Sequence, residues 1–316
     1  MSTPSQQSPH KWMAYFYLVV AQAMVGISIV CSKYLLAHTS ATFLIFARFT
    51  IGTVLIFLLF LCSKPASRTA KPTKKLSELS TLDWFYLCAQ GLSAGVLFNW
   101  FFLWGLQYSS ASIAGIITSA LPAIIAILGI FLLKQRVTVM KLACVFFAVL
   151  GLIVINWHSI SSDKMNHLWG DLLILVSLLP EACYYILVKK HHAGLPILLN
   201  ATVVCGVNVP FLFLAVLMVP GHALHDFTAF DALLLLLVGS TSSIFYACWH
   251  KGSMAVDASI SGLFTALMPL ITLVLAGLFL GESLSALQLV GMAMVLCSVV
   301  LNARSPKPLS PTEKLV

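Results

Sequence analysis

Charged residues are scarce in this sequence: Asp, Glu, Lys and Arg together make up 9% of its 316 residues, and only 10 residues are acidic. A soluble domain carries about 25% charged residues, so the composition excludes an ordinary water-soluble fold. Hydrophobic residues reach 60%, and the mean hydropathy is +0.99. The sequence therefore predicts an integral membrane protein without a separate soluble domain.

Several chemical patterns are also missing. The apolar runs, such as Leu121–Leu133, do not alternate with polar residues as membrane strands do, so helices are expected. The 8 cysteines lack the spacing of paired ligands, and the 9 histidines do not cluster within the apolar runs. Neither a nucleophile–base pair nor a glycine-rich phosphate loop is present. The sequence thus predicts no catalytic residue, no metal and no cofactor, which weakens the alternative of an intramembrane enzyme.

What the sequence does contain is a series of apolar runs near the roughly 20 residues that one membrane helix needs. The first ten residues, MSTPSQQSPH, contain no basic n-region, and the apolar run after them continues without a cleavage site, so we expect a retained anchor. The connection Cys62–Thr81, rich in Lys, Ser and Pro, is predicted to be a solvated loop. Ten spans are predicted, at Trp12–Ser32, Ala41–Leu61, Leu82–Trp104, Ala111–Leu133, Val139–Asn156, Trp169–Val188, Leu195–Val219, Asp231–His250, Ala258–Leu280 and Ala286–Asn302.

The basic residues separate by side if these ten spans are correct. Of the 18 Lys and Arg residues, Lys33 and Lys164 lie on one side, Arg48 lies inside a span, and the remaining fifteen lie on the other side. Such an excess marks cytoplasmic loops. We therefore predict cytoplasmic tails at 1–11 and 304–316 of a protein in the inner (cytoplasmic) membrane. Because topology accounts for the net charge of +8, no nucleic-acid partner is expected.

Two stretches of the chain repeat one another. With an offset of 147 residues, GLQYSSASIAGIITSALPAIIAILGIFLLKQR (105–136) falls on GSMAVDASISGLFTALMPLITLVLAGLFLGES (252–283), which places Pro122 on Pro269. A weaker match, offset by 157, places Trp12 on Trp169. Five spans per copy is an odd number, so the second copy must enter the membrane from the opposite side. The sequence predicts an all-α membrane protein of ten transmembrane helices in two inverted five-helix repeats, 12–156 and 169–303.

These residues resemble a known family. VGISIVCSKYLL, ATFLIFARF, WGLQYSSAS, GDLLILVSLL and ASISGLFTALMPLITLVLAGLFLGESLS, in this order, are similar to a ten-helix, EamA-type member of the drug/metabolite transporter superfamily. Two places depart from the pattern: Lys134-Gln135, where Gly-Glu is usual, and Pro180-Glu181 in the sixth span.

The resemblance implies a secondary transporter that moves a small metabolite, such as an amino acid or its derivative, by alternating access. The lipid bilayer and the small-molecule substrate are the expected partners. Coupling to protons or other ions and assembly into a homodimer stay open. A channel or a non-transporting scaffold is the remaining alternative to a transporter.

Two ionisable residues inside spans are the first site candidates. Arg48 costs about 2.5–3.5 kcal/mol at the centre of a membrane helix, and a structural role is favoured over an anchor for a substrate carboxylate. Glu181 follows Pro180, which frees a backbone carbonyl and predicts a kink in the sixth helix. Substrate binding or coupling by Glu181 and a structural ion pair with Arg48 are equally supported.

Prolines, aromatic residues and amides are the remaining site candidates. Pro122 and Pro269 occupy matched positions and, like Pro180, are candidate hinges, with the hydroxyls of Thr118 and Thr265 placed to satisfy the freed carbonyls. Aromatic and amide side chains in the third and sixth spans could line a cavity, although aromatic residues more often form an interfacial belt. The candidate substrate or coupling residues are Glu181, Arg48, Asn99, Trp100, Tyr184, Tyr185 and Gln90.

Overall fold

The computed structural model describes residues 9–62, 74–132, 139–161, 165–191, 193–218, 227–254, 256 and 264–304. Within these residues the regular elements are helical, and no strand is present. The prediction of an all-helical membrane protein is confirmed. Most of the predicted cytoplasmic tails (residues 1–8 and 305–316), most of the loop 62–81 and the start of the predicted ninth span lie outside the described residues.

The helices are numbered in chain order. A π-helical segment, Leu92–Leu97, joins α3 to α4 without a break, and a short 3₁₀ helix, Leu76–Glu78, precedes α3. The α-helices are α1 (Pro9–Leu35), α2 (Ala41–Cys62), α3 (Thr81–Gly91), α4 (Phe98–Tyr108), α5 (Ala111–Thr118), α6 (Leu121–Leu132), α7 (Val139–Ser161), α8 (Met165–Lys190), α9 (Ile197–Gly206), α10 (Asn208–Met218), α11 (Ala229–Met254), α12 (Leu267–Leu280) and α13 (Ala286–Arg304).

Seven helices in the described part of the chain are long and apolar enough to cross a membrane: Trp12–Leu35, Ala41–Cys62, Thr81–Tyr108, Ala111–Gly129, Asn166–Val188, Ile197–Met218 and Ala229–Trp249. The predicted fifth, ninth and tenth spans correspond to shorter apolar stretches, Leu142–Ile155, Leu267–Leu280 and Ala286–Leu301. The count of ten spans therefore stays a prediction. Several helices also extend beyond their predicted ends, because polar residues at a membrane surface continue a helix without cost.

The predicted fourth span is broken rather than smoothly kinked. The helix ends at Thr118 and starts again at Leu121, directly before Pro122. The Thr118 hydroxyl donates to the carbonyls of Ala114 (2.9 Å) and Gly115 (3.0 Å). In the second copy, a turn at 265–266 precedes α12 and Pro269. Each proline thus lies at the start of a new helix, where its missing N–H costs little.

The sixth span contains its proline inside a helix. α8 continues through Pro180 from Met165 to Lys190, and the kink at Pro180 stays a prediction. An irregular backbone lies in the neighbouring π-helical segment. Ser93 of that segment donates to the carbonyl of Pro180 at 2.5 Å, so the segment contacts Pro180.

Close contacts between the two predicted halves hold the bundle together. α1 packs against α11 and α12, α4 against α8, and α7 against α13. Glycine makes two of these crossings possible, since a Cβ at Gly105 would lie 2.6 Å from the Gly170 carbonyl oxygen, and one at Gly151 would lie 2.8 Å from that of Gly291. Small residues at such crossings let membrane helices approach closely.

Charged side chains fix the connection between α4 and α5 at one end of the bundle. Lys33, near the end of α1, donates to the carbonyls of Leu106 (2.7 Å), Gln107 (3.1 Å) and Ser109 (2.7 Å). Asp171, near the start of α8, accepts a hydrogen bond from the Ser109 hydroxyl. The end of α1, the end of α4 and the start of α8 therefore share one end of the bundle.

The carboxylate of Glu282 completes this connection from the far part of the chain. It accepts from the backbone N–H groups of Ala111 and Ser112, both at 2.8 Å, at the start of α5. Gly281, in the left-handed conformation at φ 65°, ends α12 and turns the chain so that Glu282 reaches them. A carboxylate is favoured there because the free N–H groups of a helix start carry partial positive charge.

Candidate functional site

Arg48 is a half-buried cation on α2 in the interior of the bundle. Its Nη1 donates to the side-chain oxygen of Asn99 on α4 at 3.2 Å. Glu181, Cys205 and Tyr246 are the groups that act on it electrostatically. The salt bridges between described residues do not include one between Arg48 and Glu181. A ligand carboxylate could therefore reach the guanidinium without displacing a bound glutamate.

The π-helical segment positions the partner of Arg48. Asn99, which is 3% exposed, donates its amide to the carbonyls of Ala94 (3.0 Å) and Gly95 (2.9 Å). Those bonds satisfy carbonyls of the segment and turn the amide oxygen of Asn99 toward Arg48. π-helical turns within α-helices are often found at functional sites.

A second amide fixes the same segment from the other side. Asn208, at the break between α9 and α10, is fully buried and donates to the Val204 carbonyl at 2.8 Å. A Cβ at Gly95 would lie only 2.2 Å from its Nδ2 atom. Gly95 is thus required by its close contact with Asn208.

Glu181 interacts with three tyrosines. Electrostatic interactions join its carboxylate to Tyr184 and Tyr185 on α8 and to Tyr246 on α11. The Ser93–Pro180 hydrogen bond holds the preceding residue against the π-helical segment. Arg48, Asn99 and Glu181 therefore occupy one polar region to which both predicted halves contribute.

A cavity of about 290 Å³ continues from this region toward the link between α8 and α9. Its polar lining comes from Gln90 on α3, Tyr184 on α8, Asn200 on α9, Tyr246 on α11 and His191 in the link. The volume is close to the lower limit of ordinary small-ligand sites. Its remaining lining is mostly apolar: Val188, Ala193, Gly194, Leu195, Ile197, Ala201 and Val204.

The structure divides the sequence candidates into two groups. Gln90 and Tyr184 line the cavity, and Arg48, Asn99 and Glu181 lie in the adjoining polar region. Two aromatic candidates lie outside the cavity lining. Tyr185 is 43% exposed, and Trp100 contacts Trp104 with the ring centroids 5.9 Å apart.

Tyr246 and His191 were not among the candidates from sequence. Tyr246 could have been found from the repeat, since an offset of 147 places Asn99 on it. His191 gave no such signal because it lies in a loop of the predicted topology. Among the described residues, no group of three His, Cys, Asp or Glu side chains could hold a metal ion. The arrangement provides one cation, one carboxyl group, phenols and amides, which suits binding of a small polar molecule.

Comparison with known proteins gives matches along most of the chain. The model of the EamA-like transporter family matches residues 12–157 and 168–304. An uncharacterized transporter of Bacillus subtilis, YetK, is 28% identical over 305 residues, covering 93% of this chain and 88% of that protein. An uncharacterized transporter of Archaeoglobus fulgidus is 24% identical over 302 residues, covering 93% of this chain and 99% of that protein. A solved crystal structure with 15% identity has a TM-score of 0.60 and covers 95% of this chain and 99% of that chain, a likeness of fold.

Proposed function

We propose, because this chain belongs to the EamA-like transporter family, that it is a secondary transporter of a small zwitterionic metabolite such as an amino acid or its derivative. Transport would proceed by alternating access between two inverted five-helix halves, 12–156 and 169–303. The observation that carries the proposal is the polar region of Arg48, Asn99 and Glu181 beside a cavity lined by both halves.

Two observations support the division into halves and the ten spans. The family model matches the chain twice, with bounds within one residue of the predicted repeats. The helices α1, α4 and α7 of the first half pack against α11, α8 and α13 of the second. Substrate sites of transporters with inverted repeats lie near the membrane midplane between such halves.

The charges of the site support a zwitterion. The guanidinium of Arg48 is held by a single amide oxygen, which leaves donors for the planar, bidentate pairing that arginine makes with carboxylates. Glu181 lies near enough to act on Arg48 yet forms no salt bridge with it. Its carboxylate would bind the ammonium group of the same substrate, and Tyr184 and Tyr246 would contact the remaining polar atoms.

The excess of Lys and Arg on one side supports the cytoplasmic membrane and cytoplasmic termini. Cysteines placed in the loop 62–81 and after Arg304 should be protected from impermeant thiol reagents in intact cells that produce a variant without native cysteines. Cysteines at positions 164 and 222 should react. Labelling of both the loop and the tail from outside would contradict the orientation.

Purified protein in liposomes tests the transport proposal. We expect uptake and counterflow of at least one compound from a panel of amino acids, nucleosides and organic cations, and a dependence on an imposed pH gradient if Glu181 couples protons. Counterflow of nucleosides or cations alone would contradict the zwitterion assignment. Recovery of a chemically altered product would indicate an enzyme instead.

Variants at the two charges sharpen this test. Because Arg48 is bonded to Asn99 rather than to Glu181, Glu181→Gln should give folded protein with at least a tenfold loss of uptake. The exposed Glu78, outside the predicted spans, provides the control Glu78→Gln, which should keep wild-type uptake. If Glu181 were a structural partner of Arg48, Glu181→Gln would lower the amount of folded protein, and adding Arg48→Gln would restore it.

A further inference from the structure

Two helix starts in this chain have the same construction. At the start of α3, the Asp83 carboxylate accepts from the backbone N–H and the hydroxyl of Ser80, both at 2.9 Å. At the start of α11, the Asp231 carboxylate accepts from the backbone N–H and the hydroxyl of Thr228, both at 2.7 Å. Each aspartate is 1% exposed and therefore fully surrounded by protein.

Each aspartate also faces a histidine from the other half of the chain. His191, which follows α8, approaches Asp83 Oδ1 with its Nε2 at 2.6 Å. His38, which follows α1, approaches Asp231 Oδ1 with its Nδ1 at 3.5 Å. We call Asp83 with His191 the α3 clasp, and Asp231 with His38 the α11 clasp.

Aromatic rings hold both histidines in place. The His191 ring stacks on Tyr86 with the centroids 4.6 Å apart, and the His38 ring lies 5.0 Å from that of Tyr34. The two clasps correspond in the repeat as well, because an offset of 148 places Ser80 on Thr228 and Asp83 on Asp231. Each clasp joins the third predicted span of one half to the first predicted span of the other.

The two clasps lie at opposite ends of the bundle. His38 follows α1 and so lies at the end where Lys33 contacts Ser109 after α4. Asp83 begins the continuous helical stretch Thr81–Tyr108, whose 28 residues reach that same end only at its last turn. At about 1.5 Å per residue, this stretch separates the two clasps by roughly 40 Å.

The two clasps differ in the length of the contact, which is 2.6 Å in the α3 clasp and 3.5 Å in the α11 clasp. In the α3 clasp the Asp83–His191 contact is short, and Lys74 adds a salt bridge to Asp83 Oδ2 at 3.1 Å. In the α11 clasp, Nδ1 of His38 and Oδ1 of Asp231 are buried and have no hydrogen-bond partner among the described residues. A buried, unpartnered donor and acceptor facing each other indicate a contact that forms in another conformation, since leaving them unpaired is unfavourable.

We propose that the two clasps are reciprocal end contacts of the transport cycle: each forms when its end of the bundle is closed and parts when that end opens. This inference rests on the alternating access proposed above. His191 also lines the cavity, so the α3 clasp lies at the boundary between the cavity and its end of the bundle. In the structure the α3 clasp is a contact of 2.6 Å, whereas the α11 clasp is an ion pair at 3.5 Å without a hydrogen bond between the described residues.

Histidine variants that keep the ring test the proposal. Phenylalanine retains the ring contact with Tyr86 or Tyr34 and removes the ring nitrogens, whereas changing the aspartates would also remove helix caps. The reporter is a cysteine at Asn200, which lines the cavity, in a protein whose native cysteines are replaced by alanine. An impermeant maleimide is applied from the α3 side of oriented vesicles, and the rate of labelling is measured without any substrate.

The two variants should shift this rate in opposite directions. His191→Phe removes the contact that closes the α3 end, so labelling should become faster by up to about tenfold, the factor expected from one hydrogen bond to a charged group. His38→Phe removes the contact that closes the α11 end, so the population should shift toward a closed α3 end and labelling should slow. A shift in the same direction in both variants, or no shift in either, would overturn the proposal.

Three controls separate the clasps from a general loss of structure. His191→Gln and His38→Asn replace Nε2 and Nδ1 by amide donors at similar positions and should restore the wild-type rate. Gln288→Ala removes an exposed helix cap at α13 and should leave the rate unchanged. Loss of folded protein in both phenylalanine variants would show a purely structural role and would also overturn the proposal. Because the assay uses no substrate, its failure is distinct from a failure to find transport.

Discussion

The helical stretch α3 to α4 and the helix α11 occupy corresponding places in the two copies, yet their centres are built differently. In the first copy, the π-helical segment Leu92–Leu97 interrupts the helix; its Ser93 hydroxyl donates to the Pro180 carbonyl, and the Asn99 amide of the following helix donates to the Ala94 carbonyl. In the second copy, α11 is unbroken, and Ser240 and Thr241 donate to carbonyls of their own helix at 2.8 and 2.7 Å. The two helices therefore occupy corresponding places but differ in their polar side chains and hydrogen bonds.

The two copies also differ in the groups that they place next to Arg48. The repeat places Asn99 on Tyr246, and both side chains act on the guanidinium, one as a hydrogen-bond acceptor and the other electrostatically. In the function proposed above, the two halves move against each other and bind an asymmetric substrate between them. That proposal requires unequal groups at the centre, and the difference between Asn99 and Tyr246 would provide them.

The largest loss of stability should come from Asn99→Leu. The change removes the acceptor of Arg48 and two donors to backbone carbonyls, and unpaired buried groups of this kind cost about 3 kcal/mol in total. Thermal unfolding of detergent-purified protein should show a clearly lower Tm and a lower yield of folded protein. The matched change Tyr246→Phe should leave the Tm near that of the wild type while it weakens uptake. Equal destabilisation by both would contradict the division of roles.

A smaller loss of stability is expected from Gly95→Ala. The added Cβ would lie 2.2 Å from the buried amide of Asn208, and overpacking in such a place costs about 2 kcal/mol. The residue at the same repeat position in α11 is Ser242, whose change to alanine should be nearly neutral. Unfolding measured in parallel for the two variants checks this difference, and a tolerant Gly95 would mean that the π-helical segment does not depend on close contact.

The sequence predicted the parts of this structure that depend on composition and period. Scarcity of charge singled out Arg48 and Glu181, and the apolar runs located the helices of the confirmed all-helical membrane fold. The repeat located the helix breaks near Pro122 and Pro269 to within a few residues. These features are local, so a pattern along the chain is sufficient to indicate them.

Features that depend on distant partners could not be predicted in this way. The π-helical segment that contacts Pro180, where Gly95 lies against Asn208, had no signal in the sequence. Arg48 suggested a carboxylate partner, whereas the structure provides an amide. Lys33 donates to three carbonyls at the end of α4 and directly after it, partners that lie more than 70 residues away in the sequence. Each outcome depends on three-dimensional proximity that no spacing in the sequence encodes.

A loss of stability smaller than that of Gly95→Ala is expected from a change at Glu282, another position at which the two copies differ. The repeat places Gln135 of the first copy on Glu282, which caps the start of α5 with two hydrogen bonds. Glu282→Gln makes the two copies alike, keeps one acceptor and removes the charge, so stability should fall by about 1 kcal/mol. Tm measurements at low and high salt check the cause, because the loss should shrink with salt if it is electrostatic. The exposed change Glu78→Gln provides the comparison.

The smallest effect on stability should come from the matched prolines, where the two copies agree. Both lie at helix starts, so an alanine there regains an N–H without disturbing an existing hydrogen bond, and the Tm should change little for Pro122→Ala and Pro269→Ala.

The turns before the two prolines are the sites at which the halves would bend during closure. Alanine favours continuation of the helix across the turn, so uptake should slow severalfold in each variant while substrate affinity is kept. Initial uptake rates over a range of concentrations separate these quantities. An unchanged maximal rate in both variants would show that the breaks are fixed features of the packing, and a loss in only one would show that the two halves bend unequally.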